Sequence, residues 1–154
     1  MKQIFLVVLA TLICSANLNA SDKVETLDYS EFESEILTNV DCPFVILFGS
    51  NYCRYSIEQL KLLKRIASRH SANFRYFCVN ADKDENYEWL KKVWFELRFN
   101  GEVGVPVWLF YGRSSKYQKQ NHIGANWAGC MDESEIIEII EDMVETYQYL
   151  LDDE

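Results

Sequence analysis

The chain has 154 residues, of which 49% are hydrophobic, so it is long and apolar enough to form a domain with a single core. Its net charge of −9 argues against nucleic acid or an anionic membrane as a partner, because both would repel an acidic protein. Lysine and arginine are dispersed along the sequence rather than clustered, which argues against a basic binding patch.

The first part of the chain has the organisation of a secretory signal. Lys2 precedes an apolar run over residues 4–13, and small and polar residues follow it up to Ala16 or Ala20. The run is too short to span a bilayer, and its alternative interpretation is a buried first strand. We therefore expect residues 1–20 to be a signal peptide and the mature product to be extracytoplasmic, in a periplasm, in a secretory lumen or outside the cell.

The rest of the chain, residues 21–154, alternates between strand and helix patterns. In chain order we expect a strand at 24–27, a helix after Asp28 or Ser30, a strand at 44–48, a helix over 53–70, a strand at 74–81, a helix over 87–97, strands at 107–111 and 117–123, and a final helix over 136–151. This order predicts one α/β domain, in which a mixed central β-sheet is flanked by helices on both faces.

Three of these elements have clear apolar patterns. Residues 44–48 form an unbroken apolar run, as expected for a central strand that is covered on both faces. The first helical face is marked by Phe32, Ile36 and Leu37. In the next helix one buried stripe is predicted from Ile57, Leu60, Leu63, Ile66 and Ala67.

The sequence Cys53-Arg54-Tyr55-Ser56 stands where that central strand gives way to a helix. Backbone N–H groups at a helix start stabilise a thiolate and lower its pKa, so Cys53 is the candidate nucleophile. The Ser56 hydroxyl either donates to this thiolate or forms a capping box with Gln59, which would start the helix at Ser56. Arg54 adds electrostatic help or is simply solvated.

Cys42, Cys53, Cys78 and Cys130 remain after removal of the signal. Four cysteines in an oxidising compartment can form two bridges in three pairings, and the sequence does not select one. Cys42 and Cys53 lie at opposite ends of one strand and should not pair. Cys130 follows the last strand, and this position is expected to bring it toward the end of the sheet that carries Cys53. There it would be a disulfide partner of Cys53 or a resolving thiol. Cys78 is expected to be a small buried hydrophobe.

Metal and cofactor motifs are missing from the sequence. His70 and His122 are the only histidines, and neither has companions at metal-ligand spacing. There is no glycine-rich phosphate loop, hydrolase elbow or paired-carboxylate motif. We therefore predict neither a metal site nor a cofactor.

Four segments, taken in their order and spacing, carry a family resemblance: residues 27–32, 44–53 and 79–82, and Gly104-Val105-Pro106. With them the chain resembles thioredoxin-fold proteins, and is more similar to a single domain of the protein disulfide isomerase group than to cytosolic thioredoxin. In that family the matching proline has a cis peptide bond and lies beside the reactive cysteine. The resemblance implies that Val105 and Pro106 form a client-binding edge.

The residues around Cys53 follow the same resemblance. Tyr52 stands where the family usually has tryptophan, and Arg54 and Tyr55 complete the surface that would meet a client. Trp127 lies near the presumed active end and could contact a client as well.

The departures from the family pattern limit the activity that the resemblance implies. Dithiol relatives use Cys-x-x-Cys, where the first thiolate attacks a client disulfide and the second resolves the mixed disulfide. Ser56 cannot perform the second step, since its hydroxyl does not exchange with a disulfide. The buried acid and the nearby lysine of dithiol thioredoxins are replaced by Leu47 and Cys78, which suit a dry core.

The sequence thus predicts an exported monothiol thioredoxin-like protein that forms mixed disulfides with client proteins, for exchange, isomerisation or capture. Its expected partners are client thiols or disulfides and a small external thiol, and no membrane span is expected in the mature form. Two alternatives stay open. One is a non-catalytic peptide-binding or chaperone module that uses the Val105-Pro106 edge, and the other is a dithiol oxidoreductase that uses Cys53 with Cys130.

Overall fold

A computed structural model describes residues 23–36, 41–70, 73–113 and 122–152. The strands of these ranges are β1 (Val24–Thr26), β2 (Phe44–Gly49), β3 (Arg75–Asn80), β4 (Val107–Gly112) and β5 (His122–Ala128). The helices are α1 (Tyr29–Glu31), which continues as a π-helical turn (Phe32–Ile36), α2 (Arg54–Arg69), α3 (Asp84–Glu96) and α4 (Glu133–Asp152). The predicted signal peptide lies outside the described residues.

The strands form one mixed sheet in the spatial order β1-β3-β2-β4-β5. β1 and β2 both pair with β3 in parallel, whereas β4 is antiparallel to β2 and to β5. The chain order βαβαβαββα and the α/β fold class predicted from the sequence are confirmed. None of the helices in the described ranges is long and apolar enough to cross a membrane.

The central strand β2 separates two apolar cores. Phe44, Ile46 and Phe48 face the layer built by the first helical segment and α3, while Val45 and Leu47 face the layer of α2 and α4. All five side chains are at most 1% exposed. The unbroken apolar run is therefore a strand covered on both faces, as predicted.

The first helical segment is tied to the sheet at Asp28. Its backbone N–H donates to the Glu31 carboxylate at 3.0 Å, and its own carboxylate accepts bonds from Lys83 and from buried Asn86. Phe32 and Ile36 are buried as predicted, whereas Leu37 lies outside the described residues. In α3 the buried face includes Asn86 and Trp89, while Tyr87, where we expected this helix to begin, is 42% exposed.

The predicted position of the last strand is wrong. We expected residues 117–123, but β5 runs from His122 to Ala128, and residues 114–121 lie outside the described part. The strand is selected by its pairing with β4, in which Val107 stands opposite Ala128 and Trp108 opposite Trp127. A register shift at Phe110/Tyr111 accommodates the pairing. Ile123, Ala125 and Trp127 alternate with polar or small residues, so β5 carries a local strand pattern that our prediction placed too early in the chain.

The predicted buried stripe of α2 is wrong in its first turns. Ile57 is 41% exposed, and the polar Ser56 and Gln59 take the buried positions instead. Leu63, Ile66 and Ala67 are buried as predicted. These three residues belong both to the predicted stripe through Ile57 and to the observed stripe through Ser56 and Gln59. The periodicity alone therefore could not choose between the two stripes.

Candidate thiol site

Cys53 occupies the N-cap position of α2, with an extended backbone (φ −101°, ψ 114°). Its carbonyl accepts the first intrahelical bond, from the Ile57 N–H at 3.1 Å. The helix therefore begins directly after Cys53, as predicted. The alternative capping box is wrong, because Ser56 is already the third helical residue and the Gln59 side chain bonds elsewhere.

The turn before Cys53 is fixed by side chains from the carboxyl ends of two strands. The Ser50 hydroxyl accepts a bond from the Tyr52 N–H at 3.1 Å, and the Asp82 carboxylate accepts one from the Asn51 N–H at 2.9 Å. Asp82 is itself held by the Asn80 side chain, which accepts its N–H at 3.0 Å. Sequence reasoning missed Asp82, which it assigned only to the end of a strand.

The Cys53 thiol lies against the downstream proline segment. Its Sγ–H donates to the Val105 carbonyl, with 3.6 Å between Sγ and oxygen. The Val105-Pro106 peptide bond is cis, as the resemblance implies. Pro106 in turn accepts a bond from the Gly129 N–H at 2.8 Å, which joins the end of β5 to the same place. Cys53, Val105 and Pro106 are thus brought together.

The pKa of Cys53 is lowered from the ordinary value of a cysteine. The largest cause is the hydrogen bond from the Ser56 side chain, and backbone N–H groups of Ser56 and Tyr55 add to it against the opposing effect of burial. The Ser56 hydroxyl is buried and has no hydrogen-bond partner while the Cys53 thiol donates to the Val105 carbonyl. A hydroxyl without a competing acceptor is free to serve the sulfur, and it serves the anion better than the neutral thiol.

Gly49 keeps the Ser56 side chain in place. A Cβ added at Gly49 would lie 3.3 Å from the Ser56 Cβ and 3.7 Å from its oxygen, so the first turn of α2 packs directly on the end of β2. Ser56 itself is only 2% exposed. The glycine at this point of the strand therefore permits a close approach of helix to sheet.

The other residues predicted around Cys53 are on the surface. Tyr52 and Tyr55 are 92% and 61% exposed. Arg54 forms an ion pair with Glu58 at 2.9 Å, so its charge is directed along the helix toward a carboxylate. Trp127 is half-exposed and stands two residues before Gly129.

Cys130 lies at the same end of the sheet as Cys53. It sits between Gly129, which is bonded to Pro106, and Met131, whose N–H donates to the Gln59 side chain at 2.9 Å and whose carbonyl accepts from it at 3.2 Å. Partial burial raises the pKa of the exposed Cys130 thiol, and the charges of Glu58 and Cys53 raise it further. Cys53 and Cys130 are both free thiols here.

The Gln59 contacts with Met131 are the largest feature that sequence reasoning missed. Gln59 is 8% exposed, and its amide uses a donor and an acceptor on one backbone residue, as a neighbouring strand would. The sequence did contain a sign of it, because Gln59 lies on the same helix face as Ser56 and Leu63.

Cys42 and Cys78 have different surroundings. Burial raises the pKa of both thiols. Cys78 is only partly buried, which corrects the expectation of a fully buried hydrophobe, and its sulfur lies 3.8 Å from the Thr26 hydroxyl. It opens on a cavity of about 400 Å³ that Ser56 and Lys64 also line. No three metal-binding side chains come together in the described ranges.

Comparison with known proteins identifies the fold. No protein-family model and no curated protein sequence matches the chain. Its structure is similar to the crystal structure of chloroplastic thioredoxin z, with a TM-score of 0.57 and 17% sequence identity over 79% of this chain and 94% of that one. The chain therefore has a thioredoxin fold.

Proposed function

We propose that this thioredoxin-fold chain is an exported monothiol protein whose Cys53 thiolate attacks disulfides of client proteins and forms mixed disulfides with them. The observation that carries the proposal is the position of Cys53 at the N-cap of α2, 3.6 Å from the Val105 carbonyl, with the buried and unpartnered Ser56 hydroxyl one turn along the helix. That hydroxyl also lowers the pKa of the Cys53 thiol. A cysteine with only a packing role needs no donor to its anion. The Cys-x-x-Ser motif is thus a thiolate with its own hydrogen-bond donor.

The reaction is a thiol–disulfide exchange. The Cys53 thiolate attacks one sulfur of a client cystine, an S–S bond forms between the two proteins, and the other client sulfur leaves as a thiolate that takes up a proton. Ser56 stabilises the attacking anion but has no sulfur with which to release the client. A small external thiol, or a second cysteine of the client, then attacks the mixed disulfide and completes reduction or isomerisation.

Client binding would use the edge around Val105 and Pro106. The Val105 carbonyl accepts a hydrogen bond from the Cys53 thiol, and the exposed Tyr52 and Tyr55 flank Cys53 in the chain. An extended client segment can add main-chain bonds at such an edge and apolar contacts to aromatic rings. We also propose export, since the pattern of residues 1–20 suits secretion and client proteins with persistent disulfides are concentrated in oxidising compartments.

The test measures thiol ionisation and covalent capture together. Alkylation of Cys53 followed against pH should give a pKa below that of free cysteine, about 8.5. The reduced protein mixed with a cystine-containing peptide should yield a disulfide adduct, which Cys53→Ala loses and Cys42→Ala keeps. A Cys53 pKa at or above the free value, or an adduct that survives Cys53→Ala, contradicts the proposal. Undiminished client binding by Cys53→Ala, with no adduct from the unaltered chain, would favour the non-catalytic chaperone module.

A further inference from the structure

The loop after β5 brings a second thiol to the Cys53 site by two independent sets of hydrogen bonds. On one side of Cys130, the Gly129 N–H is bonded to the Pro106 carbonyl at 2.8 Å, beside the residue whose carbonyl accepts from Cys53. On the other side, Met131 is bonded twice to Gln59, two turns into the helix that Cys53 starts. The loop is therefore fixed both to the proline segment and to the helix.

We propose that Cys130 is the resolving thiol of this site, which replaces the function that Ser56 cannot perform. The inference rests on the first step of the proposed function, the attack by Cys53, since there is nothing to resolve unless Cys53 forms a mixed disulfide. It assigns the second step to Cys130 of the same chain in place of an external thiol, so that only the Cys-x-x-Ser motif itself is monothiol. Cys130 is exposed, whereas Gly129 and Met131 on either side are anchored, so the thiol is accessible on an ordered loop. Gln59 is a positioning residue in this scheme.

The second step balances within the chain. After Cys53 has joined a client sulfur, the Cys130 thiolate attacks the Cys53 sulfur, a Cys53–Cys130 disulfide forms, and the client sulfur leaves as a thiolate that is protonated. The two thiols of this chain supply both electrons that reduce the client cystine. A further turnover needs a dithiol, or two equivalents of a small monothiol, to reduce the new disulfide.

The electrostatics of the two thiols suit this order of events. The Ser56 hydroxyl favours ionisation of Cys53, whereas partial burial raises the pKa of Cys130 and the charges of Glu58 and Cys53 raise it further. Cys53 is therefore the first to ionise and attack. Once its sulfur is bound in the mixed disulfide, its charge is gone, and Cys130 ionises more easily than before.

The test follows a single turnover of the full reduced chain with a short peptide that contains one cystine. Thiols are blocked with N-ethylmaleimide at increasing times, and the products are identified by mass spectrometry under non-reducing conditions. The unaltered chain should release both peptide thiols and end with a Cys53–Cys130 disulfide. Cys130→Ser should accumulate the mixed disulfide, in which the peptide stays attached and only one of its two thiols is free. The matched Cys42→Ser should behave like the unaltered chain.

The outcomes separate the two proposals. If Cys130→Ser releases both thiols as fast as the unaltered chain, or if the unaltered chain stops at the mixed disulfide, the role of Cys130 is overturned while that of Cys53 stands. If the unaltered chain forms no adduct through Cys53 at all, the proposed function fails, and the resolving role fails with it.

Discussion

Cys42 and Cys53 flank the same central strand and differ in almost everything that governs sulfur chemistry. Cys42 lies before β2, where burial raises the pKa of its thiol. Cys53 lies after β2, at the start of α2 and beside the Ser56 hydroxyl, where its pKa is lowered. The comparison teaches that reactivity here comes from the end of the strand, because only that end combines a helix start with a placed donor.

The largest expected effect is on labelling by a thiolate-selective reagent. A short pulse of iodoacetamide at neutral pH should modify Cys53 well before Cys42, because the alkylating step requires the ionised sulfur and Cys53 carries more of it. Mass spectrometry of the tryptic peptides gives the two rates in one sample. Equal rates, or faster labelling of Cys42, would remove the basis of the comparison.

The difference should diminish when the donor is removed. Ser56→Ala deletes the hydroxyl while its methyl group still fits beside Gly49, so the pKa of Cys53 should rise and the labelling profile should move to higher pH. Ser34→Ala changes an exposed serine on the first helical segment, earlier in the chain. It is a control that should leave the pH profile of Cys53 labelling unchanged. An unchanged profile for Ser56→Ala would assign the reactivity to the helix start alone.

Gln59→Leu should act on stability and on the second thiol together. The Met131 N–H and carbonyl both lose buried partners, so we expect a loss of about 2 kcal/mol in the free energy of unfolding, measured by urea titration. Release of the mixed disulfide should slow while the first attack by Cys53 stays unchanged. Gln59→Glu keeps an acceptor for the Met131 N–H but sets a buried carboxylate oxygen against the Met131 carbonyl, so it should lose at least as much stability as Gln59→Leu.

The two thiols should also change the pH dependence of stability in opposite directions. Because the pKa of Cys53 is lower in the folded chain than in the unfolded chain, its ionisation stabilises the fold above the unfolded-state pKa. This stabilisation is lost as the pH falls through the folded-state pKa. The raised pKa of Cys42 gives stability that is present below the unfolded value, about 8.5, and is lost as pH rises toward the folded value. Either slope is bounded by about 1.4 kcal/mol per pH unit.

These slopes are measured by urea titration between pH 7 and pH 10. The free energy of unfolding of the unaltered chain, minus that of Cys53→Ala, should increase with rising pH. The corresponding difference for Cys42→Ala should decrease. Slopes of the same sign would show that the two sites are electrostatically alike.

Arg54→Ala should have the smallest effect. The Arg54–Glu58 pair is well exposed, and such pairs contribute less than about 0.5 kcal/mol. Because Arg54 is engaged by Glu58, we expect the labelling rate of Cys53 to stay close to that of the unaltered chain. A clear fall in that rate would place Arg54 among the groups that stabilise the thiolate.

The sequence predicted what local patterns and a family resemblance can carry. The apolar run 44–48, the helix start at Cys53 and the approach of Val105-Pro106 to Cys53 were all recognisable. The position of β5 was predicted wrongly, because the alternation of Ile123, Ala125 and Trp127 is weak and the bounds of the strand are set by its pairing with β4. The partnership of Gln59 with Met131 joins residues 72 positions apart and was equally hidden.

The contact between Gly49 and Ser56 has a consequence for the energetics of thiol ionisation. Since the helix turn rests on the strand backbone, the position of the hydroxyl oxygen is set when the protein folds. Only a rotation of the O–H bond remains when the sulfur becomes an anion, which is close to the condition called electrostatic preorganisation. A bulkier residue at position 49 would displace that oxygen, and the thiolate would then have to be solvated by water instead.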